Sequence, residues 1–145
     1  MTDEPEAVIR ARGLRTQFGR QVIHDNLDLD VRRGEVLGVV GGSGTGKSVL
    51  LKEIIGLIEP AAGTIEVLGH DVATLSDAER ITLQGRQGVL FQDGALFSSM
   101  TVAENIMVPL KEHTSLPESL IEELARVKVA MVGLPANAAD KYPSQ

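Results

Sequence analysis

The chain has 145 residues, 43% of them hydrophobic, which is ordinary for one globular domain. Its formal net charge of -6 argues against a nucleic-acid partner, because proteins that bind phosphate backbones carry a basic excess. The absence of cysteine excludes disulfides and thiolate metal sites. The acidic start, residues 1–6, lacks the basic and apolar regions of a signal peptide. We therefore expect a cytoplasmic protein that would meet a membrane through a partner.

The first part of the chain carries the strand patterns. From Ala7 to Val40 apolar and polar side chains alternate in stretches set apart by turn residues at 18–20 and 33–35, which predicts a small antiparallel sheet. The run from Val36 to Val40 is continuously apolar and predicts a strand buried on both faces of a mainly parallel sheet. A short alternating strand is expected over 63–69, and a second core strand over 88–91.

Helical patterns lie between these predicted strands and dominate from residue 101 onward. Apolar spacing predicts a helix over 47–58 that ends before Pro60. Ser76 opens another helix, with Glu79 at the capping-box position. A third helix is expected after Pro117, with one apolar face formed by Leu120, Ile121, Leu124, Val127 and Met131.

A phosphate-binding loop is the strongest motif. Residues 41–48 match G-x-x-x-x-G-K-[ST] in full, between a predicted strand and a predicted helix. Glycines let backbone N–H groups turn toward a triphosphate, and the following helix N-terminus adds partial positive charge. In this motif Lys47 reaches the β and γ phosphates, and Ser48 offers its hydroxyl to Mg²⁺.

Further residues narrow the class of phosphate-loop protein. Phe18 lies 29 residues before Lys47, Arg33-Gly-Glu lies just ahead of the predicted strand from Val36 to Val40, and residues 89–93 read Val-Leu-Phe-Gln-Asp. With the loop, these features resemble the ATPases of ATP-binding-cassette (ABC) transporters over nearly the whole chain. The resemblance implies an α/β fold, a P-loop NTPase core with an N-terminal antiparallel β subdomain and the start of a helical subdomain. We expect residues 1–145 to be the N-terminal part of one such domain, divided into 7–100 and 101–145.

The resemblance also implies the roles of individual residues. An aromatic at the position of Phe18 stacks on adenine in the family, although Phe18 is alternatively an ordinary hydrophobic residue at a strand end. Lys47 and Gln92 are the implied catalytic residues, and Ser48 and Gln92 are the implied Mg²⁺ contacts. The implied ATP contacts are Phe18, Gly41, Gly42, Ser43, Gly44, Thr45, Gly46, Lys47, Ser48 and Val49.

Gln92 matches the glutamine that in the family contacts Mg²⁺ and the attacking water and couples the site to the permease. The alternative is a solvated strand end. The segment 94–100 lies where the family receives the coupling helix of the permease, so Phe97 is either a contact there or a core residue. His24, His70 and His113 have no metal-ligand spacing and are expected at the surface or in turns.

The last residues, 141–145, match the approach to the family's signature motif. The signature, the acidic strand and the switch histidine lie after this point in the family, and none is present here. We therefore expect this chain to be C-terminally incomplete, to bind Mg-ATP and to show no hydrolysis alone, although the full-length protein would be an ATPase.

A finer resemblance is to the Mla, or toluene-tolerance, branch that energises phospholipid trafficking in Gram-negative envelopes. It rests on residues 46–52, 91–99 and 108–113. It implies transmembrane permease subunits, a second ATPase subunit and a membrane-anchored lipid-binding subunit as partners, with the ATPase at the cytoplasmic face of the inner membrane.

Two other functions are compatible with the phosphate loop. A small phosphate-loop kinase would need a lid with clustered arginines, and Arg80, Arg86 and Arg126 are too scattered in the sequence to form one. A nucleotide sensor or degraded cassette would bind ATP and dock on a permease without turnover. Hydrolysis by the full assembly separates the sensor from an ATPase.

Overall fold

A computed structural model describes residues 6–92 and 94–145. Residues 1–5 of the acidic start and Asp93 of the predicted glutamine motif lie outside these residues. The chain divides into two compact units, Met1–Gly88 and Val89–Gln145, which are described separately below. The subdomain boundary at residue 100 stays a prediction.

The first unit contains an antiparallel sheet, as the alternating patterns predicted. Its strands are β1 (Ala7–Phe18), β2 (Gln21–Arg32), β3 (Ala62–Val67) and β4 (His70–Asp71), in the spatial order β2-β1-β3-β4. A two-residue turn joins β1 to β2, and its Gly19 has a φ of +59°. Left-handed backbone at such a turn matches the twist of the flanking strands, which explains the glycine.

Two helices belong to the first unit, α1 (Lys47–Ile54) and α2 (Asp77–Gln84). Ser76 caps α2 in a capping box with Glu79, as predicted. Hydrogen bonds from the Ser76 hydroxyl and backbone lower the pKa of the Glu79 carboxyl. The buried apolar core joins the sheet to both helices through Ala11, Leu14, Leu50, Ile65, Val67 and Leu83.

The first helix is shorter than the sequence predicted. The apolar spacing predicted a helix over 47–58, but α1 ends at Ile54 and Ile55 is its C-cap. Gly56 follows with a φ of +74°. Glycine enters left-handed backbone at low cost and commonly ends helices, so Gly56 stops the helix before Pro60 is reached.

Both predicted core strands are wrong for the described residues. Residues 36–40 and 88–91 form no regular element, and Val36, Val40 and Leu90 are 99%, 92% and 91% exposed. A central parallel strand needs hydrogen-bonded neighbours on both sides. None of the four strands in the described ranges pairs with either segment, so the apolar run alone cannot form a strand.

The second unit is helical, as predicted from residue 101 onward. Helix α3 (Val102–His113) is capped by Thr101 in a capping box with Glu104. Helix α4 (Glu118–Met131) begins directly after Pro117, and a short 3₁₀ helix covers Ala136–Asp140. An exposed ion pair between Lys111 and Glu118, 2.6 Å apart, lowers the pKa of the Glu118 carboxyl by a hydrogen bond.

The predicted apolar face of α4 needs correction. Of the five residues named above for it, Ile121 is buried, whereas Met131 is 71% exposed. The face that packs against α3 and the 3₁₀ helix instead contains Ile121, Ala125 and Val129. These residues are four apart and so lie in one row. The small Ala125 permits close approach, which a search for large apolar side chains overlooks. Within the described residues, no helix has the length and apolarity needed to cross a membrane.

Candidate phosphate-binding site

The loop before α1 folds around the side chain of Lys47. The Lys47 Nζ donates hydrogen bonds to the carbonyl oxygens of Gly41 at 2.9 Å and Gly42 at 2.6 Å. The Thr45 hydroxyl also donates to the Gly42 carbonyl, at 2.9 Å. The ammonium group therefore lies inside the curve of the loop, where the motif requires a positive charge.

The N-terminus of α1 is open toward the loop. Gly46 is the N-cap and makes no side-chain capping bond, and the first turn has no acidic residue. The first N–H groups of a helix have no partner within the helix, and its dipole favours negative charge. An anion such as a phosphate group fits this end. Ser48 is exposed in the first turn and presents a hydroxyl there.

Gly46 is also the point where the loop meets the sheet. Its φ is +92°, and a Cβ at this position would lie 2.5 Å from His24 Nε2 and 2.6 Å from Ile23 Cγ2. Such distances are too short for packed atoms, so a Cβ at residue 46 would force the side chains of His24 and Ile23 on β2 to shift. Gly44 also has a positive φ, +79°, but a Cβ there would have no described atom within 4 Å.

The remaining predicted contact residues in the first unit are exposed or half-buried. Gly41 through Thr45 and Ser48 are exposed, and Val49 is half-buried in the first turn of α1. Phe18 is the last residue of β1, pairs with Gln21 across the turn and is 49% exposed. Phe18 is therefore not a core residue. Its stacking role stays a prediction.

Gln92 lies in the second unit, in an irregular segment, and is exposed. Its predicted contact with Mg²⁺ therefore stays a prediction. The backbone N–H of Phe97 donates to Asn105 Oδ1 at 2.8 Å, and the Phe97 side chain is 56% exposed. The interpretation of Phe97 as a core residue is therefore wrong for the described residues.

A buried polar cluster beside the loop was missed. Thr16, His24 and Glu53 are 2%, 6% and 0% exposed, so the predicted surface position of His24 is wrong. Thr16 Oγ1 donates to Glu53 Oε1 at 2.5 Å and lies 2.9 Å from His24 Nδ1. One signal was available, because Glu53 follows Leu50 by three residues and so interrupts the apolar stripe of the predicted helix.

Across residues 6–92 and 94–145, no three His, Asp or Glu side chains form a group that could hold a metal ion. His70 and His113 are exposed, as predicted. The exposed hydroxyl of Ser48 at the loop is an oxygen donor of the kind that holds Mg²⁺ beside phosphate groups.

Comparison with known proteins places these features in a family. The model of the ABC transporter family matches residues 24–144. The chain is 41% identical over 138 residues to the intermembrane phospholipid transport system ATP-binding protein MlaF of Haemophilus influenzae. This alignment covers 95% of the chain and 52% of that protein. The chain is also 42% identical over 137 residues to the probable ribonucleotide transport ATP-binding protein mkl of Mycobacterium leprae. That alignment covers 94% of the chain and 39% of the relative. The chain thus spans about half, or less, of these relatives.

Solved structures share the fold. A dimeric post-hydrolysis structure of the ATP-binding cassette MJ0796 bound to ADP and Pi matches with a TM-score of 0.83 and 24% identity, over 94% of this chain and 62% of that one. The cbiO1 protein of Clostridium perfringens, part of the ABC transporter complex cbiONQ, matches with a TM-score of 0.72 and 23% identity, over 89% of this chain and 51% of that one. The fold of the chain is therefore that of an ABC ATPase. With the family model matching most of its length, the chain belongs to the ABC transporter family.

Proposed function

We propose that this chain carries the nucleotide-binding part of the ATP-binding subunit of an ABC transporter. The observation that carries the proposal is the loop itself, in which Lys47 Nζ lies against the carbonyls of Gly41 and Gly42 beside an uncapped helix N-terminus. An ammonium group next to the free N–H groups of a helix N-terminus forms a site for phosphate oxygens.

Each residue of the site would have a role that follows from the chemistry of its side chain or backbone. The loop N–H groups and the N-terminus of α1 hold the phosphates, and Lys47 exchanges its carbonyl partners for β and γ phosphate oxygens. Ser48 and Gln92 would hold Mg²⁺, which neutralises charge between these phosphates when it is bound. Phe18 supplies a stacking surface for adenine. These roles position the nucleotide, and positioning with electrostatic stabilisation accounts for most of the catalysis of phosphoryl transfer.

We further propose a phospholipid-trafficking role for the full assembly. In that role the chain works with a second ATPase subunit, transmembrane permease subunits and a membrane-anchored lipid-binding subunit, at the cytoplasmic face of the inner membrane. The relatives' names differ in cargo, since MlaF is named for phospholipid and mkl for ribonucleotide at nearly equal identity. The support for phospholipid comes from the sequence resemblance of residues 46–52, 91–99 and 108–113.

The chain alone is expected to bind Mg-ATP without releasing phosphate, because it has neither the signature motif nor the acidic strand of the family. Calorimetric titration and a phosphate-release assay on the same preparation measure both properties. Turnover by the isolated chain that Lys47→Ala removes would contradict this expectation. Absence of ATP hydrolysis in the full transporter assembly would favour the nucleotide sensor.

Replacement of Phe18 tests the base-binding side of the proposal. Base–aromatic stacking contributes about 1–3 kcal/mol per base, so Phe18→Ala should weaken Mg-ATP binding about tenfold. Inorganic tripolyphosphate has no base, and its affinity should not change. Titration calorimetry with the two ligands gives both values.

Phe97→Ala is the matched control for this experiment, since Phe97 is an exposed aromatic in the other unit. It should leave both affinities unchanged. If Phe18→Ala weakens tripolyphosphate binding as much as ATP binding, Phe18 supports the fold of the hairpin and does not stack on adenine.

A further inference from the structure

The buried cluster of Thr16, His24 and Glu53 has no part in the mechanism above. Its hydrogen bonds can be assigned from proton counting. The Thr16 hydroxyl has one proton and donates it to Glu53 Oε1 at 2.5 Å. Thr16 Oγ1 must then accept the 2.9 Å bond from His24 Nδ1, so this nitrogen carries a hydrogen. Thr16 is therefore the centre of the cluster.

Because Glu53 is buried, a contribution to stability does not by itself explain the cluster. Its side chain is fully buried, and its Oε2 lies 3.3 Å from His24 Nδ1 without a hydrogen-bond partner among the described residues. Burial of a carboxyl with incomplete hydrogen bonding costs free energy, and apolar residues of similar volume often stabilise such sites better. What polar groups add is directional bonding, which fixes one arrangement of the elements that they join.

The three residues join the elements that carry the two halves of the proposed nucleotide site. Thr16 is two residues before Phe18 on β1 and pairs in register with His24 on β2. Glu53 is on α1, the helix that begins with Lys47. The other ring nitrogen of His24, Nε2, faces Gly46 at the end of the loop. The cluster therefore contacts the loop directly, and strand β1 connects it to Phe18, the proposed contact of adenine.

We propose that Thr16, His24 and Glu53 are positioning residues that set the phosphate loop and α1 relative to the hairpin that carries Phe18. This inference rests on the proposed function, because it assumes that ATP binds at both places. The hydrogen bonds of the cluster fix how α1 is rotated about its own axis and where it lies along that axis relative to β1 and β2. A nucleotide then meets its phosphate donors and its stacking surface at the separation that its own length requires.

The test compares a ligand that spans both places with one that occupies the loop only. The triple variant Thr16→Val, His24→Leu, Glu53→Leu removes every polar group of the cluster and leaves none unpaired. We expect it to fold, with Mg-ATP affinity about tenfold lower, which corresponds to loss of one stacking interaction, and with tripolyphosphate affinity within about twofold of the parent chain. A merely structural role would change both affinities by the same factor, whatever the urea midpoint of the variant, and that result would overturn the proposal.

A pair of single variants covers the case in which the triple variant does not fold. Thr16→Ser keeps the central hydroxyl, whereas Thr16→Val keeps the shape and removes it. Thr16→Ser should preserve the ratio of ATP to tripolyphosphate affinity, and Thr16→Val should lower it. Equal ratios in the two variants would overturn the proposal.

Asp30→Asn serves as the control, since it weakens an exposed pair with Arg12 on the same hairpin, 2.7 Å apart, without touching α1. Both affinities should stay at the level of the parent chain. Failure of the parent chain to bind either ligand would contradict the proposed function itself. Normal binding by the parent and the triple variant alike would contradict only the positioning role.

Discussion

Lys47→Ala should reduce the affinity for Mg-ATP by at least about a hundredfold. In the structure the Lys47 ammonium faces the inside of the loop and bonds two carbonyl oxygens. With ATP bound, the same group would bond phosphate oxygens, and each hydrogen bond to a charged group contributes about 1.5–3 kcal/mol. Two such bonds correspond to roughly a hundredfold or more in affinity. Titration calorimetry with Mg-ATP measures the loss.

The fold should survive this substitution, because the carbonyls that Lys47 contacts are at an exposed loop and can bond water. Helical content measured by circular dichroism should therefore not change. Lys52→Ala is the matched control, since Lys52 is an exposed lysine in the same helix, and it should bind Mg-ATP like the parent chain. Unchanged affinity in Lys47→Ala would remove the basis of the proposed function.

The sequence predicted the features that depend on local interactions. The hairpin of β1 and β2 follows from alternation and a glycine turn, and the capped start of α2 follows from Ser76 three residues before Glu79. The loop geometry follows from the spacing of its glycines and Lys47. These features are short in range, so the chain needs no distant partner to form them.

Features that depend on distant partners were not predictable in the same way. The run from Val36 to Val40 has the composition of a core strand, yet a parallel strand exists only with neighbours, and the described residues supply none. The position of His24 was mispredicted because its partners, Thr16 and Glu53, are eight and 29 positions away along the chain and meet it only in the fold. A single polar residue within an apolar stripe indicates such a partner without identifying it.

Gly46→Ala should destabilise the first unit more than any other single alanine substitution in the loop. A left-handed backbone costs a residue with a Cβ about 1–2 kcal/mol. The new Cβ would also lie 2.5 Å from His24 Nε2 and 2.6 Å from Ile23 Cγ2, and relief of such overpacking costs about 1–3 kcal/mol more. We expect the free energy of unfolding, measured by urea titration of the chain, to fall by about 2–5 kcal/mol.

Gly44→Ala separates the two causes of this loss. Gly44 has a similar positive φ, +79°, but a Cβ added there would have no described atom within 4 Å. Its cost should therefore be the backbone strain alone, about 1–2 kcal/mol. Equal losses in the two variants would mean that His24 and Ile23 move away freely, and the close approach of β2 to the loop would then be a soft contact. A larger loss in Gly46→Ala would instead show that β2 is held against the loop, because a restrained neighbour cannot relieve the overlap.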